Sequence, residues 1–317
     1  MIRIGARRSP LAVAQAEWVA SQLVAAGYEC QMVGIDSLGD VDRRRLTEIG
    51  GTGIFATAVR DQLLSGRIDV AVHSMKDLPV APAPGLEIAA IPVREDVRDV
   101  LVGLPPEQWT DETVIGTGSP RRAVQLEALA RVLGVKITVV PVRGNVDTRL
   151  GLVGEGQMHA TVLAAAGLLR LGRLDASQVI PGEGSQPVMI GGIAGTLLAL
   201  DQMLPAASQG ALAIEARSAM DAPLREALSS IDHSATRAAV LAERQMLATL
   251  EAGCLAPVGA HAIVSASNLT LTAVVGKESS NGDELVRAER QGLVSEASVV
   301  GRELAEQLLP LLDEKMD

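Results

Sequence analysis

Several arginines of this sequence lie between a predicted strand and the helix that follows it, where they could bind an anionic ligand. Six lie at predicted strand ends or in first helical turns: Arg7, Arg8, Arg121, Arg122, Arg143 and Arg149. Guanidinium groups bind carboxylates through paired hydrogen bonds, and helix amino termini attract anions. The set therefore indicates a ligand with several carboxylates or phosphates. Any single arginine of the set fits a solvated surface charge equally well.

An acid and a thiol also stand where catalysis could use them. Asp77 follows the apolar run Val70–His73 and precedes Pro79, so it lies at the carboxyl edge of a predicted strand. A carboxylate there could stabilise a cation or move a proton; the alternative is a turn aspartate that caps a backbone amide. Cys254 lies in a loop bounded by glycine and proline, where an accessible thiol can anchor a covalent group. A lone cysteine is more often inert, and Cys30 fits that interpretation.

Apolar runs that alternate with helical runs position these residues and predict an α/β fold with mostly parallel sheets. The predicted strands are Ile2–Ile4, Ile68–His73, Leu86–Ile91, Thr113–Ile115, Lys136–Val142, Thr161–Leu163 and Leu212–Ile214. The predicted helices are Pro10–Ala25, Ile54–Leu64, Pro120–Leu133 and Val146–Val153. Twice a strand leads through a glycine turn into a Ser-Pro pair, at Ser9 and at Ser119. Serine suits the cap and proline the first helical position, so each pair builds a helix amino terminus.

The last third of the chain, from about Ser230, predicts a small α+β domain with Cys254 in its first loop. Its elements are a helix over Ser234–Leu250, strands over Val258–Val264, Leu269–Val275 and Leu285–Arg290, and a helix over Ser295–Leu312. Segments Arg94–Asp99 and Pro205–Gln209 are predicted to join the α/β domains. Gly182–Thr196 is rich in glycine and apolar residues; we interpret it as a surface insertion, with a lid or interface element as the alternative.

The composition argues against several classes of protein. The 317 residues suggest two or three domains, and the formal net charge of −10 lacks the basic excess of nucleic-acid binders. One Phe, one Tyr and two Trp leave few platforms for stacking bases. Two cysteines and four scattered histidines give no metal-ligand spacing, so no metal is expected. No long apolar run predicts a membrane span and no targeting segment follows Met1, so we expect a cytoplasmic protein.

Nine stretches, in order, resemble the porphobilinogen deaminase (hydroxymethylbilane synthase) family over nearly the whole chain. They are Arg3–Ala12, Gly50–Phe55, Ala71–Pro79, Arg94–Asp99, Gly116–Arg122, Arg143–Arg149, Ala166–Gly172, Ser208–Glu215 and Leu250–Gly259. The resemblance implies two α/β domains, like those of periplasmic binding proteins, around a cleft, plus a small C-terminal α+β domain. The implied boundaries are 1–96 with 211–228, then 97–210, then 229–317.

The same resemblance implies a transferase that joins four porphobilinogen molecules into hydroxymethylbilane, with release of ammonia, for haem biosynthesis. It implies that Cys254 carries a dipyrromethane cofactor through a thioether and that Asp77 is the catalytic aspartate. It further implies, as residues that bind cofactor or substrate, Arg7, Ser9, Phe55, Lys76, Ser119, Arg121, Arg122, Arg143, Arg149, Arg170 and Gln209. The acetate and propionate arms of porphobilinogen would account for the arginines. The expected protein is a monomer.

Three of the departures from the family pattern bear on substrate binding or on the fold. Thr52 stands where many relatives have lysine, Gly118 replaces a common serine, and the stretch over Gly182–Thr196 is longer than expected. The first two would weaken substrate binding by removing polar contacts. Two other functions stay open: a non-catalytic receptor for a small polyanion, and a degenerate deaminase that folds without assembling its cofactor. A receptor would need neither Asp77 nor Cys254.

Overall fold

The computed structural model describes residues 1–36, 54–182, 184–251, 256–277 and 284–313, except for the side chains of residues 54, 55 and 313. The chain divides into two compact units, Met1–Glu95 with Gly210–Leu241, and Asp96–Gln209 with Ala242–Asp317. The chain passes between the units after Glu95 and after Gln209. The three-domain division stays a prediction.

The described strands and helices follow one another along both units. The strands are β1 (Ile2–Arg7), β2 (Cys30–Ile35), β3 (Val70–Ser74), β4 (Leu86–Ala90), β5 (Asp99–Gly103), β6 (Val114–Gly116), β7 (Thr138–Val140), β8 (Ala160–Ala164), β9 (Gln186–Ile190), β10 (Ile193–Leu197), β11 (Leu212–Arg217), β12 (Val258–Ser265), β13 (Asn268–Lys277) and β14 (Glu284–Leu293). The helices are α1 (Pro10–Ala25), α2 (Ile54–Leu64), α3 (Pro120–Leu133), α4 (Val146–Gly154), α5 (Ala165–Arg170), α6 (Ala222–Ser229), α7 (Ser234–Thr249) and α8 (Ala297–Asp313).

The first unit contains a five-stranded sheet in the order β2-β1-β3-β11-β4. Strands β1, β2 and β3 are parallel, whereas β11 returns antiparallel between β3 and β4. Helix α1 packs against the parallel strands and buries Ala16, Val19 and Leu23. The buried side chains of this core are aliphatic, as the near absence of aromatic residues requires.

The second unit contains a six-stranded sheet in the order β7-β6-β8-β5-β10-β9. Strands β6, β7 and β8 are parallel, and β5, β9 and β10 complete the sheet by antiparallel pairing. An antiparallel sheet, β12-β13-β14, belongs to the same unit, and α8 and α3 both contact its strands. The predicted α/β fold with an additional α+β segment is therefore confirmed. None of the described helices is long and apolar enough to cross a membrane.

The interpretation of Gly182–Thr196 as a surface insertion is wrong for most of that stretch. Strands β9 and β10 form a hairpin at the edge of the second sheet, and Val188 and Ile190 are buried in its core. Gly191 and Gly192 make the turn with positive φ angles of 55° and 90°, which glycine adopts without strain. Two of the five glycines of the stretch therefore serve this turn. Strand β5 and helices α5 and α6 were not predicted.

Candidate functional site

The carboxyl edge of the first sheet holds one group of the predicted residues. Strands β1 and β3 are parallel, so their carboxyl ends meet at one edge. Arg7 ends β1, and Ser9 caps α1 by accepting a hydrogen bond on Oγ from the Ala12 amide at 3.4 Å. Lys76 and Asp77 lie in a single 3-10 turn directly after β3. Strand topology thus brings a cation, a hydroxyl and a carboxylate to the same edge.

Asp77 presents an exposed carboxylate on a fixed backbone. Its turn is anchored by Met75, whose side chain is fully buried and whose amide donates to the Ala211 carbonyl at 3.0 Å. The turn closes when the Leu78 amide donates to the Met75 carbonyl at 3.2 Å. Within the described part of the chain, the Asp77 side chain has no hydrogen bond or ion pair. The carboxylate is therefore held in place and left available to a ligand.

A buried ion pair lies further back in the same sheet, where Glu215 of β11 is opposite Ala71 of β3. Arg60 donates to both carboxylate oxygens of Glu215, from Nε at 2.9 Å and from Nη2 at 2.7 Å. His73 Nε2 lies 3.1 Å from Glu215 Oε2, a close electrostatic contact without hydrogen-bond alignment. Burial alone would raise the pKa of Glu215, but His73 and Arg60 outweigh burial and lower that pKa to about 2. Glu215 is therefore ionised and ties β11 to β3 and α2.

The carboxyl edge of the second sheet holds most of the remaining predicted residues. Strands β6, β7 and β8 are parallel, so the segments that follow them meet at this edge. Ser119 caps α3, but its side chain makes no capping hydrogen bond, unlike that of Ser9. The arginines that follow these strands are Arg121 and Arg122 after β6, Arg143 and Arg149 after β7, and Arg170 after β8.

Arg121 and Arg122 are buried and share one carboxylate, that of Asp99. Asp99 is 0% exposed; its Oδ2 accepts from Arg121 Nη2 at 2.8 Å and its Oδ1 from Arg122 Nη2 at 2.7 Å. The Nη1 groups donate to the carbonyls of Leu204 at 2.6 Å and Val162 at 2.8 Å. A solvated surface charge is therefore excluded for both arginines. It describes Arg8 instead, since Arg8 pairs with Asp36 at the surface.

The arginine cluster carries more positive charge than its carboxylate neutralises. Two guanidiniums face one Asp99 carboxylate, which leaves a net charge of +1 even before Arg149 is counted. Burial lowers the pKa of Arg121, and burial together with the Arg122 charge lowers that of Arg149. The Nε atoms of Arg121 and Arg122 are buried and, among the described residues, find no hydrogen-bond partner. Buried donors of this kind indicate a missing acceptor, and a carboxylate suits the charge.

Gln209 belongs to the same network. It is fully buried, and its Nε2 donates to Asp99 Oδ1 and to the Val97 carbonyl, both at 2.8 Å. Sequence reasoning missed Asp99, the residue that collects these donors. The available signal was an aspartate placed directly before the apolar run Val100–Val102. That run forms a buried strand, so the carboxylate at its start is buried with it.

Two family models match this sequence over almost its whole length. One, described as "Porphobilinogen deaminase, dipyromethane cofactor binding domain", covers residues 2–225, and the other, "Porphobilinogen deaminase, C-terminal domain", covers residues 237–310. The chain belongs to the porphobilinogen deaminase family. It is accordingly a transferase, and most of it forms the domain that binds dipyrromethane.

Curated relatives agree with this membership. Porphobilinogen deaminase 1 of Streptomyces coelicolor is 46% identical over 97% of this chain and 94% of its own length. Porphobilinogen deaminase of Thermobifida fusca is 44% identical over 97% of this chain and 92% of its own length. A solved periplasmic substrate-binding protein from Coxiella burnetii, at 12% identity, matches 73% of this chain and 92% of its own with a TM-score of 0.41. That score lies below 0.5, so nothing about ligand or mechanism follows from it.

The residues present fit a dipyrromethane, whose acetate and propionate arms are carboxylates. The two Nε donors that find no partner in the described part of the chain, and the net positive charge of the arginine cluster, supply what such arms require. Cys254 and Thr52 lie outside the described residues, and nothing is described of the Phe55 side chain. Peptide mapping of this porphobilinogen deaminase family member is therefore the measurement that locates the attached cofactor.

Gly118 has a structural reason of its own. A Cβ atom built at this position would lie 2.7 Å from the carbonyl oxygen of Val142, closer than any ordinary contact. A serine at this position would force the turn after β6 away from the segment after β7. Gly118 is predicted to remove a polar contact. It also lets the turn after β6 lie closer to the segment after β7 than a serine would allow.

Proposed function

We propose that this chain condenses four porphobilinogen molecules into hydroxymethylbilane, with release of ammonia, through the residues at the two sheet edges. The observation that carries the proposal is the buried arginine pair, which has a net positive charge and two Nε donors without a hydrogen-bond partner among the described residues. A ligand with several carboxylate arms matches that pair, and family membership supplies the reaction.

In this proposal Asp77 is the catalytic carboxylate. Loss of ammonia from porphobilinogen leaves an electron-deficient azafulvenium cation, which a nearby carboxylate stabilises. An exposed carboxylate that has no competing partner among the described residues can approach such a cation and take part in proton transfer. The anchored turn at Met75 keeps the carboxylate in position throughout.

The cations and hydroxyls of the two edges bind the carboxylate arms. Arginine holds a carboxylate in a planar, two-bond geometry that a point charge does not provide. The residues assigned to binding are Arg7, Ser9, Lys76, Ser119, Arg121, Arg122, Arg143, Arg149 and Arg170, with Phe55 near the reacting centre. Gln209 is assigned to the same binding set, and its side-chain Nε2 also donates to Asp99 and to the Val97 carbonyl.

The cofactor is proposed to be joined to Cys254. When bound, the dipyrromethane supplies the pyrrole carbon onto which substrate units are added, and water finally releases the product. Cys30 is the unsuitable thiol of the chain, because burial raises its pKa and so reduces the thiolate that could react. A cytoplasmic location and a monomeric state complete the proposal.

Intact-protein mass spectrometry followed by peptide mapping tests the attachment. The expected result is a mass increase equal to two porphobilinogens less two ammonias, located on the peptide that contains Cys254. Cys30→Ser is the matched control and keeps the modification, whereas Cys254→Ser loses it. A Cys254 that stays unmodified after incubation with porphobilinogen would contradict the proposal and favour the polyanion receptor or the degenerate deaminase.

A further inference from the structure

Asp99 contacts two of the arginines that the proposed function assigns to binding, but it is not itself assigned to binding or catalysis. Three side-chain donors converge on its carboxylate, from Arg121, Arg122 and Gln209, at 2.7 to 2.8 Å. Its backbone is fixed as well, because it pairs with Ala164 of β8 and accepts from the Leu198 amide at 2.9 Å. The carboxylate is thus a rigid reference point from which both guanidiniums are placed.

We propose that Asp99 is a positioning residue, which holds the guanidiniums of Arg121 and Arg122 side by side so that their remaining N–H groups receive a carboxylate arm. The inference rests on the proposed function, since it concerns the binding of the same cofactor and substrate. Two arginines repel each other when a shared counter-charge is missing, and long side chains then lose their fixed geometry. Asp99 removes that repulsion and still leaves the cluster with one net positive charge.

Charge and geometry make opposite predictions when Asp99 is neutralised. Asp99→Asn keeps the shape of the side chain but offers one acceptor oxygen where three donors point. If only charge mattered, the cluster would become more positive, and the KM for porphobilinogen would fall. If Asp99 positions the arginines, one guanidinium loses its acceptor and the carboxylate arm is bound less well in spite of the added positive charge.

The test measures KM, kcat and cofactor loading for folded Asp99→Asn protein. We expect KM for porphobilinogen to rise about tenfold or more, with a smaller change in kcat per loaded enzyme. We also expect a smaller fraction of the purified chain to carry the cofactor, measured by intact mass. A KM that is unchanged or lower, at wild-type loading, overturns the positioning role.

Asp69→Asn is the matched control. Asp69 also accepts a two-bond ion pair, from Arg3 at 2.9 and 2.7 Å, but it lies before β3, at the opposite end of that strand from Asp77. Its loss should leave KM and loading at wild-type values. If both variants raise KM alike, general destabilisation explains the effect and the role assigned to Asp99 is refuted.

A second variant decides the question if Asp99→Asn does not fold. Gln209→Met removes one donor from Asp99 without changing any charge, and a KM increase of about threefold is expected; an unchanged KM overturns the inference. A wild-type protein without turnover would defeat the proposed function itself. An active wild type whose Asp99 and Gln209 variants match Asp69→Asn would defeat this inference alone.

Discussion

The carboxyl edges of the two sheets carry the same sequence pattern but use their carboxylates in opposite ways. At the first edge, Asp77 is exposed and has no side-chain partner among the described residues. At the second, Asp99 is fully buried and accepts from three donors. An ionised carboxylate is costly to bury unless it is paired. Asp99 is therefore committed to organising the arginines, while Asp77 is kept available for reaction.

The arginines of the two edges differ in a related way. Arg7 and Arg8 precede the helix cap Ser9, and Arg8 pairs with Asp36 at the surface. Arg121 and Arg122 follow the cap Ser119 and lie in the first helical turn, 4% and 6% exposed. A shift of a few positions relative to the cap thus separates a surface charge from a buried one. The two edges thus hold their arginines in different environments, solvated before the cap Ser9 and buried after the cap Ser119.

The largest expected effect comes from the exposed carboxylate. Asp77→Asn should lower the turnover of porphobilinogen by about 10²–10⁴-fold, as expected for a lost acid–base or charge-stabilising group. Stability should change by less than about 0.5 kcal/mol, because the side chain is exposed. Steady-state kinetics and urea unfolding measure the two quantities. Asp201→Asn, another exposed carboxylate, is the control with normal turnover; wild-type turnover in Asp77→Asn would refute the assigned role.

Glu215 extends the comparison inside the first unit, because it is a buried carboxylate whereas Asp77 is an exposed one. Its pKa falls from 4.5 to about 2, so its ionised form stabilises the fold by about 3 kcal/mol. The folded pKa lies below the unfolded one, so this stabilisation is complete above about pH 4.5 and is lost as the pH falls toward 2. Urea unfolding of wild type and Glu215→Gln should therefore differ most near pH 7 and least near pH 3.

Glu87→Gln provides the matched control for Glu215. Glu87 pairs with Arg225 at 2.9 Å, but the Arg225 and Glu87 side chains are 53% and 36% exposed, so its loss should cost less than about 1 kcal/mol. A stability difference between wild type and Glu215→Gln that is the same at pH 7 and pH 3 would contradict the ion-pair explanation.

Sequence reasoning predicted the elements whose patterns are local. Helices α1 and α3 begin at Pro10 and Pro120 as expected, because a Ser-Pro pair fixes a helix start within a few residues. Asp77 at the end of β3 was likewise predicted from an apolar run that stops abruptly. In each case the signal lies in residues that are close in sequence.

The rest depended on contacts between distant residues. The partner of Arg121 and Arg122 is 22 and 23 residues away, and Gln209 is 110 residues from Asp99. No local pattern shows that these side chains meet in the core. The β9–β10 hairpin was missed for a similar reason: its burial comes from pairing with β5, whereas its own glycines favoured a loop.

The smallest effect separates the two helix caps. Ser9 Oγ accepts from the Ala12 amide, whereas Ser119 makes no side-chain capping bond, so Ser9→Ala should cost about 1 kcal/mol of stability and Ser119→Ala only a few tenths. Porphobilinogen binding should follow the reverse order if the free Ser119 hydroxyl is reserved for a carboxylate arm, with KM raised more by Ser119→Ala than by Ser9→Ala. Urea unfolding and steady-state kinetics on the two variants give both orders. Equal losses of stability would mean that the two caps are equivalent, and the contrast between the edges would then rest on their carboxylates alone.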